Sequence, residues 1–502
     1  MKNKSTLLIL GLSFLLSIFG TTAKQGDKSL QGSFNNPSKL SLIYNVQLKG
    51  TGGERIIRTS DGGSLISSYL DRTHRVITKL SSDGSSEWEQ TLGKDYIIEI
   101  NDLVEIPDVG YEAIGYLYLT NYDFNNANCR YIVRFNYKGE ITNSWPARIK
   151  DKNALKSCNN QITRCSDGTY VTMYDLYHQS KSLVPYFWRY DTDGNLIDEV
   201  IHDTLSWATF YVGSLLQRPD GGFGALVMGR DSNGNGGLMQ IWRLDKTGKK
   251  IWSKDVGSWN SILYATYSSA ILTADGGFAV VALNNLPEND TAYTILRKYD
   301  MNGNVVFTKK YALNLWNAPT QIAESSLGNI FIGGFTQNND TYHLDPKVSD
   351  YFVIKTMSNG ELIWKDSFGD ADSGDRIKAM SIVDDYTILI SGYTGLLTNS
   401  SPVTTNAVTL KLTDLASAVS EQPAEPDGIH LFPNPTSTQL TLSGVEGVAS
   451  VRVVNALGEE VKQFTHVSSQ YSIDVSDLVS GLYFVSIRTA KGAVVKPMMV
   501  SR

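Results

Sequence analysis

Cysteine and histidine are scarce in this chain, with three of the first and six of the second in 502 residues. No Cys-x-x-Cys or His-x-x-x-His pair occurs, so the local ligand spacing of a zinc site is missing. Nor is there a G-x-S-x-G elbow, a phosphate-binding loop or an H-E-x-x-H helix. Basic runs are lacking too: 45 Lys and Arg face 51 Asp and Glu, for a net charge of −6. A nucleic-acid partner needs a positive footprint, so that class is excluded. Long apolar runs stop at the first 23 residues, and no transmembrane segment is expected in the mature protein. What the chain has in plenty is 43 Gly, 26 Tyr and 9 Trp, a composition of strands and tight turns.

The start reads as an address. Lys2 and Lys4 precede an apolar run from Leu7 to Phe19, and the small residues "TTA" end at Ala23. This is the pattern of a secretory signal peptide over residues 1–23. No Cys follows the apolar run, which argues against a lipid anchor.

The rest is repetitive. "RLDKTGKKIWSKDVG" (243–257) has relatives in "KLSSDGSSEWEQTLG", "RFNYKGEITNSW", "RYDTDGNLIDEV", "KYDMNGNVVFTKKY" and "KTMSNGELIWKDSFG". Their turn glycines, Gly84, Gly139, Gly194, Gly248, Gly303 and Gly360, lie 55, 55, 54, 55 and 57 residues apart. A second signature, a polar turn before an apolar run, recurs seven times in step with the first, as in "TSDGGSLISSY" and "RPDGGFGALVMG". Each unit reads as strand, turn, strand, loop, strand, Gly turn, strand. Four-stranded units at this period predict an all-β fold, a seven-bladed β-propeller over residues 40–417.

The ends predict closure. The seventh unit stops after "AVTLKLTDLAS" without a fourth strand, while residues 41–50 resemble an orphan one and are expected to complete that last blade. Residues 418–428, rich in Pro and Glu, read as a linker. Residues 429–502 alternate apolar and polar positions in short runs, which predicts a small immunoglobulin-like β-sandwich.

The tail carries "LFPNP", "VVNALGEEV", "DVSDLVSGLYFVSI" and a closing "KGAVVKPMMVSR". In this order they resemble the type A C-terminal sorting domain of the Bacteroidetes type IX secretion system. The resemblance implies that residues 429–502 engage the type IX secretion machinery. It also implies that the mature protein is secreted or attached to the outer-membrane surface, and that the domain is typically removed. The repeats resemble propeller-like repeats common in secreted proteins of the same phylum, which carry no single activity.

The Asp, Thr-Gly and Trp of "RLDKTGKKIW" could mark the cofactor turn of a quinoprotein dehydrogenase. Such enzymes usually have eight blades and adjacent cysteines, and Trp252 has counterparts at the same offset in Trp88, Phe307 and Trp364. A recurring aromatic is read as packing between blades, and no cofactor is expected. "DTDGN" and "DSNGNGG" do not continue into a calcium loop ending in Glu, and no metal site is expected. Asp384-Asp385 sits in a repeat turn and is read as solvated. The histidines are read as exposed, with His74, His178, His202 and His343 in loops.

Function is therefore sought in the loops, where the units differ most. The second-to-third-strand loops and the inter-blade loops share one face and are polar and aromatic. Tyr118, Tyr122, Tyr177, His178, Asp340, Tyr342 and His343 are the candidate binding residues. A non-catalytic module for a glycan or a surface protein is the leading expectation; a propeller enzyme acting on polysaccharide at the centre of that face is the alternative. The same topology sorts the cysteines. Cys158 and Cys165 fall at opposite ends of one strand, about 23 Å apart at 3.3 Å per residue, too far to bond. Cys129 and Cys158 share the loop face, so the expected disulfide is Cys129–Cys158, with Cys165 free.

Overall fold

The computed structural model describes residues 34–35, 39–71, 73–93, 96–119, 129–148, 161–177, 183–203, 207–231, 237–259, 268–285, 292–337, 349–370, 373–396, 404–414, 429–444, 449–455, 460–467, 470–489 and 492–501. Its regular elements are all strands. From Gly52 onward the described strands group in chain order into six antiparallel sets of four, the fifth and sixth joined by one parallel bridge, and a last set of three, and the chain forms a β-propeller. The innermost strands are Gly52–Arg58, Tyr96–Ile106, Gln161–Arg164, Trp207–Gln217, Ser268–Leu272, Trp316–Glu324 and Arg376–Ile382. Each packs against the next, and the seventh packs back on the first.

Closure comes from the N-terminus. The strand Leu40–Leu48 pairs antiparallel with Thr404–Asp414, and so supplies the fourth strand of the seventh set. The sequence did not foretell a further short strand, Phe34–Asn35, which adds to the outer edge of the sixth set beside Gly369 and Asp370.

Burial explains why neighbouring sheets cohere. A separate apolar cluster fills each gap between consecutive sets. Leu65, Ile77, Ile100 and Val133 lie between the first and second, and Leu48, Leu389, Ile56 and Ile66 between the seventh and first. Alternation along each strand sends side chains to both faces of the sheet, so every sheet contributes to two gaps. Removing these surfaces from water supplies the main stabilising term.

The Gly turn works as its sequence promises. At the first, Gly84 N donates to Ser81 O (3.0 Å) and Ser81 N to Ser85 O (2.9 Å), with Gly84 at φ +88°. This is a three-residue hairpin whose last residue must be left-handed. The aromatic four residues on packs across the gap. A Cβ on Gly139 would stand 2.4 Å from the Trp88 ring, and one on Gly303 would stand 3.0 Å from Trp252. Asp245 accepts from Thr247 N (2.8 Å), Thr247 Oγ1 (2.7 Å) and Lys249 N (3.0 Å), which makes it a turn residue.

The two signatures meet in space. Near the end of each third strand stands a basic residue, and in four units it pairs with the Asp of that unit's first turn. Lys79 Nζ lies 2.7 Å from Asp61, Arg243 Nη2 2.5 Å from Asp220 and Lys298 Nζ 2.6 Å from Asp275, and Arg189 contacts Asp167. Where a turn departs from the pattern, a substitute serves. Glu112, fully buried, holds Arg134 (2.7 Å), Arg164 (3.1 Å) and the Tyr170 hydroxyl (2.9 Å). Leu327 replaces the Asp of the sixth turn, and Asp385 reaches over from the seventh unit to take Leu327 N (2.7 Å) and Ser326 Oγ (2.9 Å). Asp385 is thus a structural acceptor between units, and Asp384 caps Tyr386 N (2.8 Å) and Thr387 N (2.7 Å).

The tail folds as two sheets, one of His430–Phe432, Gln439–Ser443 and Gln470–Asp474, the other of Glu460–Val467, Ala449–Asn455, Gly481–Thr489 and Gly492–Val500. They share one core that includes Leu440, Val453, Ile473 and Val485. Within "LFPNP", Asn434 Nδ2 donates to Pro497 O (2.8 Å) while its Oδ1 accepts from Met499 N (2.8 Å), tying the motif to the last strand.

Candidate functional site

In an up-and-down unit the two tight turns lie at one end, so the longer connections open at the other. Glu54 and Arg55 near the start of the first innermost strand, Tyr69 and Arg75 either side of the first long connection, and Glu99 in the second innermost strand therefore all belong to the loop end of the ring. Three inner strands carry polar residues where an alternating pattern would continue: "GGERI", "INDLV" and "RIKAM". The reason is local. The pairing register slips between Gly53 and Arg55, between Ile100 and Asp102, and between Ile377 and Ala379. Each slip inserts a bulge, at Glu54, Asn101 and Lys378, and a bulge re-aims side chains at the rim of a closed sheet.

The result is a mixed-charge cluster. Arg75, fully buried, places Nε 3.0 Å from Glu54 and Nη2 3.1 Å from Glu99, with its guanidinium 3.5 Å over the Tyr69 ring. The Tyr69 hydroxyl donates to Glu99 (2.5 Å). Arg55 spends its donors on backbone, on Asn101 O (2.5 Å) and Glu54 O (2.9 Å). Burial pushes the Glu54 carboxyl up to about 7, against the pull of Arg75. Enclosure likewise raises Asp102 to about 6, opposed by Arg55 and by the amide of Leu103. Lys378 is reached by water yet surrounded by protein, and this enclosure, with the nearby Arg376 and Arg55, lowers its pKa. A carboxyl held near neutrality within such a cluster can exchange a proton or meet a ligand charge.

Of the residues expected to bind, Tyr122, His178, Asp340, Tyr342 and His343 lie outside the described residues. Tyr118 and Tyr177 sit near the loop ends of the strands Gly110–Leu119 and Tyr170–Tyr177, with side chains outside the description. Cys129 opens the strand Cys129–Phe135, Cys158 lies outside, and Cys165 is a buried free thiol. One expectation is corrected. His202 is not an exposed loop residue: it is only 7% exposed and its ring lies 5.3 Å from that of Trp242. The charged inner-strand residues escaped the sequence reading, although a charge inside a short apolar strand was the signal that could have marked them.

Residues 430–501 match the secretion system C-terminal sorting domain. The chain is a type IX secretion cargo. The cargo is accordingly exported to the cell surface or released. Comparison with curated proteins gives no match. Among solved structures, the cargo is similar at 11% identity to PorZ, a surface component of the type IX secretion system of Porphyromonas gingivalis, covering 89% of this chain and 70% of that one with a TM-score of 0.30. It is similar at 10% identity to the propeller domain of the trilobed protease of Pyrococcus furiosus (75% and 97% covered, TM-score 0.35). At 10% it is also similar to an aldose sugar dehydrogenase of Streptomyces coelicolor (75% and 98% covered, TM-score 0.38).

Proposed function

We propose that this exported propeller is a non-catalytic binding module whose loop face takes a glycan or a surface protein. In this reading residues 40–417 form seven blades, residues 418–428 a linker and residues 429–502 the sorting domain. The observation that carries the proposal is the charged cluster at the loop end, where Glu54, Arg55, Asp102 and Lys378 converge from three inner strands. The sequence assigns Tyr118, Tyr122, Tyr177, His178, Asp340, Tyr342 and His343 to the connections of that end, and Tyr118 and Tyr177 stand near the loop ends of their strands. Tyrosine offers an apolar face with a polar tip, and loops on a rigid scaffold are where recognition concentrates.

A second reading has its own support. Two carboxyls, Glu54 and Asp102, retain protons toward neutral pH, and polysaccharide cleavage runs on a protonated acid beside a second carboxylate. One experiment separates the two. The mature chain is applied to glycan and surface-protein arrays, and the glycans it retains are then examined for shortened products. Retention without new reducing ends supports binding, shortened products move the assignment to the enzyme, and silence across both arrays removes the binding reading.

A further inference from the structure

The seventh unit's innermost strand carries Arg376 and Lys378 two residues apart, and the first unit's strand packed beside it carries Arg55. Arg376 lies with its guanidinium 4.2 Å from the Phe335 ring, and its Nε is buried without a hydrogen-bond partner among the described residues. Lys378 Nζ stands 5.9 Å from the centre of the Tyr393 ring, and among the described residues it donates no hydrogen bond. Among the described residues Arg55 is bonded only to main-chain carbonyls. Glu54 is near enough to Arg55 and Lys378 for their charges to be felt, but it is shared with Arg75, which Glu99 also holds. Asp102 is near enough to Arg55 to feel its charge and accepts from Leu103 N (2.9 Å).

Four cations, Arg55, Arg75, Arg376 and Lys378, thus outnumber the three carboxyls Glu54, Glu99 and Asp102 near them, and such an excess of like charge is unfavourable in a partly enclosed site. A guanidinium fork beside an ammonium matches a carboxylate better than any neutral group. The half-buried Tyr393 adds an apolar face next to the ammonium. We propose that Arg376, Lys378 and Arg55 form a seat for the carboxylate of an acidic saccharide where the inner strands of the seventh and first units meet. This rests on the binding reading of the loop face and names its ligand class.

The test is titration calorimetry of the full mature chain with oligogalacturonate, its methyl ester and polyglutamate. The acid saccharide binds and the ester binds ~10-fold more weakly or worse, as loss of one charge-assisted contact requires. Lys378→Gln, at a solvent-reached position, weakens the acid form ~10-fold and Lys378→Arg restores most of it, while rising salt weakens the wild type. Equal affinity for acid and ester, an unchanged Lys378→Gln, a preference for polyglutamate, or no binding of the acid saccharide overturns the seat. Neutral glycans still retained by Lys378→Gln would leave the loop-face reading standing while the seat falls.

Discussion

The ring of Tyr44 lies against Gly84, so close that a Cβ on the glycine would stand 2.8 Å from it. Tyr44 comes from the N-terminal strand, and it occupies the place that Trp88 takes against Gly139 one unit later. The ring is therefore closed by the same contact that joins its interior units. Gly84→Ala adds a methyl there and forces φ +88° on a residue with a side chain. The expected loss is about 1–3 kcal/mol, read as a lower urea midpoint. No change would mean that Tyr44 does not seal the ring.

Lys79 is buried to 1% of its side chain and depends on Asp61, which also accepts from Thr59 Oγ1 (2.5 Å) and Gly63 N (2.9 Å). Asp61→Ala leaves the buried ammonium with Leu80 O (3.0 Å) and the longer contact to Glu87 (3.4 Å), and is expected to cost about 1–3 kcal/mol. Glu361→Ala, which removes the exposed partner of Lys309 at 3.4 Å, is expected to cost less than about 0.5 kcal/mol. Chemical denaturation of the two variants side by side checks the contrast.

His202 is held neutral. Burial, reinforced by Lys250, lowers its pKa to about 4. The unfolded chain binds this proton from about pH 6.5 downward while the folded chain refuses it, so stability falls as pH drops from 6.5 toward 4. His202→Phe keeps a ring beside Trp242 and removes the titration. Between pH 7 and pH 4.5 the wild type is expected to lose about 2–3 kcal/mol more than the variant. Equal losses would show that His202 accepts its proton within the fold.

Cys165 lies in the core between the third and fourth units, and burial pushes its thiol pKa up. It is expected to resist alkylation in the native protein and to react once the chain unfolds. Peptide mapping without reductant tests the proposed Cys129–Cys158 bond at the same time. A Cys158–Cys165 linkage would contradict both the bond and the strand between them.

The repeat was legible because each hairpin is local: Gly84, Gly248 and their relatives announce turns whose hydrogen bonds span four residues. The recurring Trp and Phe could be read as packing for the same reason, since one interface is repeated. The Asp61–Lys79 pair was harder. Its residues were each visible within a signature, but they are 18 apart and join only when two hairpins share a sheet. His202 was misplaced because a short polar stretch looks exposed until a neighbour such as Trp242 covers it.

By itself the sequence determined the strands, the turns, the sorting domain and the orphan strand that shuts the ring, all of which follow from local pattern and period. Tertiary structure alone decided which charges meet. Arg55 and Lys378 stand more than three hundred residues apart in the chain and become neighbours because the seventh unit packs on the first. Bulges re-aim the charged side chains of these inner strands. No local pattern carries that information, since register slips and ring closure are settled by packing among all the units at once.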